Sequence, residues 1–203
     1  LIKARVIAGD RSTGTDFLNW LGPFIYRRHL DFGAIESLRD MKRMINREVT
    51  RNNLADDVKL GPGGIREIEF IAQAHQLIFA GNQKHLRETR LIPTLNTLRD
   101  EGLLPTADVE QLLSAYEFLR NSEHVIQAED DRQTQKLPDN PLSQERMARA
   151  MGFDDWGSYC QVLESHRRAV SACFTRVVTD SDEDREDLLE GNLHWQKIWL
   201  NLD

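Results

Sequence analysis

The chain has 203 residues and a formal net charge of -7, with 40% apolar and 29% charged side chains. These values are ordinary for a globular protein with a real core, and the acidic balance argues against a dedicated nucleic-acid-binding protein. The charge is uneven, because 11 basic residues face 8 acidic ones in residues 1–60, whereas 2 face 8 in residues 179–203. No apolar run approaches the roughly 20 residues of a membrane span, and the first residues lack the charged, apolar and small-residue order of a secretory leader, so we expect neither.

Helical periodicity begins early in the chain. Thr15 or Asp16 can cap a first helix, which the Gly22-Pro23 pair should kink or split. Residues 34–52 place apolar side chains three and four positions apart on one face. The remaining face is a basic stripe, either solvated or a docking surface for an anion, and we favour the solvated face. Its members are Arg39, Lys42, Arg43, Arg47 and Arg51.

The most informative stretch is KLGPGGIREIEF, which begins at Lys59 and has three glycines within four positions (Gly61, Gly63 and Gly64). A glycine loop that opens a helix presents backbone N–H groups and the positive end of the helix dipole, which suits a phosphate or a carboxylate. The alternative is a plain turn between helices, which the spacing alone favours. The stretch matches neither the P-loop nor the dinucleotide-binding pattern.

The next helix, predicted over residues 65–80, is amphipathic. His75 lies on its apolar stripe, which favours a hydrogen-bonded core or interface histidine over a catalytic one. Glu67 and Glu69 diverge by about 200° around a helix, so they cannot act as one carboxylate pair.

The remaining elements are also helical. We predict a short helix from about Pro93, a long one capped by Thr106, and two more capped by Ser143 and Asp154. Only residues 1–7 alternate as a strand would. The pattern predicts an all-α helical bundle of about six or seven helices.

The sequence gives little indication of a metal site or of a disulfide. The six histidines lack zinc-ligand spacing, so we expect no metal held by this chain alone. Cys160 and Cys173 are too far apart on one straight helix to bond, and we expect both to be reduced and buried.

Four motifs together resemble a known family. They are LIKARVIAGD at the start, ESLRDMKRMINREV at 36–49, KLGPGGIREIEFIAQ at 59–73 and DDRQTQKLP at 130–138. All four, in this order, are similar to the bifunctional glutamine synthetase adenylyltransferase/adenylyl-removing enzymes. Members of that family have two homologous halves, each a nucleotidyltransferase domain followed by a helical domain. The GGIREIEF form resembles the first half, which removes AMP.

The resemblance implies that this chain is a piece of a longer polypeptide. Residues 1–10 would be the tail of an upstream nucleotidyltransferase domain, residues 11–178 the helical bundle, and residues 179–203 an acidic linker and the start of an interdomain helix. The carboxylates that hold Mg²⁺ in the family would lie upstream of Leu1, so we expect no catalytic residue and no metal ligand in this chain. Mg²⁺ and ATP or ADP would serve the parent enzyme, and this piece alone should bind neither and be inactive.

The resemblance also implies which residues border the reaction, in which phosphate attacks the adenylyl-tyrosine of glutamine synthetase and releases ADP. Glu67 and Glu69 would orient cations or contact the substrate. The predicted nucleotide- or phosphate-binding residues are Lys3, Arg5, Lys59, Gly61, Gly63, Gly64 and Arg66.

Other functions remain open. The domain could instead be a regulatory module that binds PII signal protein or glutamine synthetase, and DDRQTQKLP is the candidate surface, unless it only packs back on the bundle. The related uridylyltransferase of PII is a weaker alternative, because its phosphohydrolase histidines are not seen. The implied partners are glutamine synthetase, PII, the chain's own nucleotidyltransferase domain and the second half, in the cytoplasm and without nucleic acid or membrane.

Overall fold

The computed structural model describes residues 1–26, 54–130 and 134–179, together with six isolated positions between 40 and 51. Residues 1–26, 54–130 and 134–179 form six α-helices and one short 3₁₀-helix, and the described residues contain no β-strand, only one isolated antiparallel bridge. The predicted all-α bundle is confirmed, whereas the strand suggested for residues 1–7 is wrong. The helices are α1 (Arg11–Ile25), α2 (Ile65–Phe79), the 3₁₀-helix (Lys84–Leu86), α3 (Leu91–Asp100), α4 (Thr106–Asp130), α5 (Pro141–Ala150) and α6 (Trp156–Thr179).

The core lies where α4 and α6 pack against each other and against α2. Ile68 of α2, Leu119 of α4 and Leu163 of α6 have almost no exposed surface. Each such side chain contributes roughly 1.5–3 kcal/mol by leaving water. Tyr159 lies beside them and donates a hydrogen bond of 3.0 Å to the Ser122 hydroxyl, so its polar end is satisfied inside the core. The bundle therefore gives α2 a rigid support.

The first helix differs from its prediction at both ends. It starts at Arg11 because the Asp10 carboxylate accepts a hydrogen bond of 2.7 Å from the Thr13 amide. The predicted caps Thr15 and Asp16 therefore lie inside the helix. Pro23 also lies inside, so the Gly-Pro pair does not split the helix, which continues to Ile25.

Two later caps are displaced, one by three positions and the other by one. Asn140, not Ser143, caps α5, and its side chain accepts a hydrogen bond of 2.9 Å from the Ser143 amide. Asp155, not Asp154, accepts a hydrogen bond of 2.8 Å from the Ser158 amide at the start of α6. In both places neighbouring residues of capping type compete, and the tertiary structure selects one.

The predicted helix over residues 34–52 and the acidic linker after Thr179 lie largely outside the described residues. Of the basic stripe, Arg43, Arg47 and Arg51 are described, and all three are helical and exposed. Arg43 pairs with Asp40 at 2.6 Å. Exposure fits both a solvated face and a docking surface for an anion, so the solvated face stays a prediction.

Candidate functional site

The glycine loop is built around a buried aspartate. Asp57 is 4% exposed, and its Oδ1 accepts hydrogen bonds from the amides of Lys59, at 2.9 Å, and Leu60, at 2.7 Å. The Asp57 carbonyl accepts a further bond of 3.0 Å from the Gly61 amide. Such a turn organised by an aspartate fixes the backbone on which Lys59 stands.

Helix α6 holds the loop from the other side. Gly63 has a φ of +64°, and a Cβ added there would lie 2.5 Å from the Arg167 Cα. The Arg167 guanidinium donates to the carbonyls of Ala55, at 2.9 Å, and Asp57, at 3.1 Å. The loop is therefore seated on the α6 backbone, and the side chain of the same arginine ties it down.

The backbone N–H groups at the start of α2 donate hydrogen bonds to carbonyls of the loop itself. The Gly64 amide donates to the Gly61 carbonyl at 3.0 Å, and the Arg66 amide donates to the Lys59 carbonyl at 3.0 Å. The amides of Ile65 and Glu67 are bonded in the same way. All three glycines of the loop are buried. Phosphate binding at Gly61, Gly63 and Gly64 stays a prediction, and the side chain of Lys59 is the better-placed donor.

The Lys59 ammonium lies beside a buried carboxylate on α4. Glu123 is 3% exposed; its Oε1 lies 3.3 Å from the Lys59 Nζ, and its Oε2 accepts a hydrogen bond from Arg120. Both cations keep 38% of their side-chain surface exposed. Neither Arg120 nor Glu123 is among the predicted site residues. The signal was present, because Glu123 falls between Leu119 and Ile126 on the apolar stripe of α4, where a carboxylate needs a partner.

The two glutamates of α2 point to different places, as the helical spacing predicts. Glu67 is 5% exposed, and its Oε2 accepts a hydrogen bond of 3.2 Å from the Ser171 hydroxyl of α6. Glu69 forms an ion pair of 2.8 Å with Lys3, and both side chains are partly exposed. Arg5 is exposed on the same N-terminal segment. Roles for these residues in substrate binding stay predictions.

The DDRQTQKLP segment is hydrogen-bonded to the chain just before the glycine loop. The Val58 amide donates to the Gln135 carbonyl at 2.9 Å, and the Leu137 amide donates to the Asp56 carbonyl at 2.9 Å. The described part of DDRQTQKLP therefore packs back on the bundle beside the glycine loop. A groove of about 750 Å³ lies next to it, lined by side chains that include Asp56, Glu129, Lys136, Pro138 and Arg146.

His75 is a core residue, as predicted. It is 7% exposed, and its Nδ1 donates to the Ile71 carbonyl at 2.8 Å. Burial lowers the pKa of His75, so the ring is neutral at neutral pH.

The cysteines are free, and Cys173 is buried as predicted whereas Cys160 is half-buried. Burial raises the pKa of the Cys173 thiol to about 11 and also raises the pKa of Cys160. Neither thiol is poised as a nucleophile, since the thiolate is the reactive form.

The described residues do not fit a catalytic magnesium ion. They contain no group of three or more His, Cys, Asp or Glu side chains arranged to hold a metal. The buried carboxylates Asp57, Glu67 and Glu123 are each engaged by protein donors instead. Within the same ranges of the chain, every helix is too short or too polar to cross a membrane.

Comparison with known proteins places the chain in a family. The family model described as GlnD PII-uridylyltransferase matches residues 39–178. A bifunctional glutamine synthetase adenylyltransferase/adenylyl-removing enzyme of Pseudomonas syringae pv. tomato is 49% identical over 98% of the chain and 21% of its own length. Enzymes of the same description from Pseudomonas aeruginosa and Hahella chejuensis are 49% and 45% identical, over 91% and 98% of the chain and 19% and 21% of their own lengths. The chain thus spans about a fifth of the curated relatives it matches. It belongs to the family that the GlnD PII-uridylyltransferase model describes, and nearly all of it is similar to a segment of the bifunctional glutamine synthetase adenylyltransferases.

Proposed function

We propose that this chain is the helical domain of an enzyme that adenylylates and deadenylylates glutamine synthetase, and that it forms one wall of the site that removes AMP. Identity of 45–49% over nearly the whole chain supports this branch of the family over the uridylyltransferases of PII. The observation that carries the proposal is the position of Lys59, a partly exposed cation on a loop that Asp57, α4 and α6 hold in place.

The reaction needs such cations. Inorganic phosphate attacks the phosphorus of the adenylyl group, a new P–O bond forms, and the bond to the tyrosine oxygen breaks, which gives ADP and unmodified tyrosine. Charge accumulates on the phosphoryl oxygens during this exchange, and fixed positive groups stabilise it. The Mg²⁺ of the parent enzyme would be held outside this chain, by carboxylates of the nucleotidyltransferase domain.

The same proposal assigns the domain boundaries. Residues 1–10 would end the upstream nucleotidyltransferase domain, residues 11–178 form the helical domain, and residues 179–203 begin the connection to a second half. The polypeptide would act in the cytoplasm, with Mg²⁺ and adenine nucleotide bound by its other domains.

The test uses the complete polypeptide that carries this chain. Lys59→Ala and Arg66→Ala should each lower the rate of AMP removal by about tenfold or more, because each removes a cation from the wall. Arg149→Ala is the matched control, since it breaks an exposed ion pair with Glu145 on α5. Full activity in both Lys59→Ala and Arg66→Ala, with an intact fold by circular dichroism, would reject the proposal.

A second candidate function rests on the groove beside the DDRQTQKLP segment. Acidic and basic side chains both line the groove, and this mixed charge suits a segment of a partner protein with complementary charges, for which PII signal protein and glutamine synthetase are the candidates. Arg146→Glu, in the groove wall, should then weaken binding of one of these proteins, while Arg149→Glu on the same helix should not. Equal binding by the two variants would exclude the groove.

A further inference from the structure

Two cations share one buried carboxylate at the junction of the glycine loop and α4. Each oxygen of Glu123 faces a different partner: Lys59, 64 positions earlier in the chain, and Arg120, three positions earlier on the same helix. The carboxylate has lost almost all of its contact with water, whereas both cations have kept more than a third of theirs. The cations therefore lie on the solvent side of the carboxylate.

The charges of this triad do not cancel. A single cation neutralises a buried carboxylate, and burial of an uncompensated charge is costly. The second cation leaves a surplus of one positive charge. Because Glu123 itself is covered, the surplus is presented at the surface, where an anion can reach it.

Neighbouring groups fix the Lys59 backbone and the Arg120 guanidinium. The Lys59 backbone is held through its amide by Asp57 and through its carbonyl by the Arg66 amide. The Arg120 guanidinium lies over the Tyr116 ring, 5.8 Å from the ring centre. Cations that are already oriented lose little freedom when they bind a ligand.

From this geometry we propose that Lys59 and Arg120 together bind one phosphate-type oxyanion, with Glu123 as the residue that positions them. The pairing of a compact ammonium with a planar guanidinium suits a tetrahedral oxyanion, which can accept hydrogen bonds from both on different oxygens. The anion would be free inorganic phosphate or the phosphate group of a nucleotide. Its assignment to AMP removal rests on the proposed function, whereas the binding itself does not.

The test is a calorimetric titration of the complete polypeptide with inorganic phosphate, AMP and ADP. Lys59→Gln and Arg120→Gln should each weaken binding of the same anion by about tenfold. The double variant should lose less than the product of the two effects, because both side chains contact one ligand. Arg149→Gln, which removes the same charge from an exposed pair on α5, should bind as the parent protein does.

The titrations identify the source of the anion. Weakened binding of inorganic phosphate indicates the attacking phosphate, and weakened binding of AMP or ADP alone indicates the nucleotide. Unchanged affinity for all three anions in both single variants overturns the proposal and leaves the triad as a structural tie between the loop and α4.

A second measurement controls for folding. The anion whose binding the titrations detect should raise the thermal midpoint of the parent protein and of Arg149→Gln, and at the same concentration it should raise that of Arg120→Gln by less, since only a ligand that binds the native state stabilises it. Equal midpoint shifts in all three proteins with that anion overturn the proposal.

The two proposals fail in different ways. Normal AMP removal by Lys59→Ala and Arg66→Ala, with weakened anion binding by Arg120→Gln, rejects the active-site wall but supports the anion site. Slowed AMP removal by Lys59→Ala and Arg66→Ala, with unchanged anion binding by Lys59→Gln and Arg120→Gln, rejects the anion site but supports the active-site wall.

Discussion

Replacement of Gly63 by alanine tests how closely the glycine loop is seated on α6. The residue has a φ of +64°, and an added Cβ would lie 2.5 Å from the Arg167 Cα and 2.6 Å from its carbonyl carbon. These atoms belong to the backbone of a long helix and cannot turn aside as a flexible side chain does. The substitution must therefore shift the loop away from α6.

The expected cost has two parts. A left-handed backbone costs alanine about 1 kcal/mol, and overpacking against a rigid neighbour adds roughly 1–3 kcal/mol. Gly102 offers a matched control, because its φ is +68° and no atom lies within 4 Å of its added Cβ. Gly102→Ala should therefore lose only the first part, about 1 kcal/mol.

Thermal or urea unfolding of the purified protein measures both variants. For a chain of this size, 1 kcal/mol lowers Tm by roughly 2–4 °C, so a cost of about 2–4 kcal/mol in Gly63→Ala should lower it by roughly 4–16 °C, and Gly102→Ala should lower it by roughly 2–4 °C. Equal losses in the two variants would refute the close seating of the loop on α6.

Four further predictions concern buried polar groups. Ser122→Ala should cost about 1–3 kcal/mol in urea unfolding, more than Tyr159→Phe, because it takes away the partner of the buried Tyr159 hydroxyl. Burial raises the pKa of Tyr159 to about 12, above its unfolded value near 10, so stability is lost as pH rises through this interval and Tyr159→Phe should lessen that loss. Burial lowers the pKa of His75 below its unfolded value near 6.5, so the unfolded chain binds a proton first as the pH falls. The contribution of His75 to the free energy of unfolding is therefore fully present above about pH 6.5 and is lost below it. His75→Gln should narrow the difference between the urea midpoints measured at pH 7 and pH 5.5. Arg167→Lys should cost about 1–3 kcal/mol, because one ammonium cannot replace a guanidinium that bridges two carbonyls.

The helices could be predicted from the sequence because their periodicity is local. The apolar stripe of α4 and the one that includes Ile68 on α2 repeat every three or four residues. Helix α2 ends one residue before its predicted end, and α4 begins at Thr106, the residue predicted to cap it. Helix starts were predicted less well. Asp10, Asn140 and Asp155 cap their helices instead of the expected neighbours, since several residues of capping type lie close together and only the surrounding fold selects among them.

The support of the glycine loop could not be predicted, because it comes from distant parts of the chain. Arg167 bonds to a carbonyl 110 positions earlier, and no local pattern marks that contact. Glu123 is different. A glutamate on the apolar stripe of a helix indicates a buried charge with a cationic partner, but the sequence does not say that Lys59 is that partner.

The internal bonding of the glycine loop changes how its sequence should be interpreted. In an anion-binding loop the glycines leave their amides free for phosphate, whereas here the Gly61 and Gly64 amides are bonded to carbonyls of the loop itself. Without side chains, the glycines let the backbone approach α6 and fold tightly on itself, whereas their binding of phosphate stays a prediction. That close approach fixes the position of Lys59, whose flexible side chain would otherwise lose much freedom on binding an anion. Gly63→Ala should therefore weaken phosphate binding in the calorimetric titration, even though the residue itself need not touch the ligand.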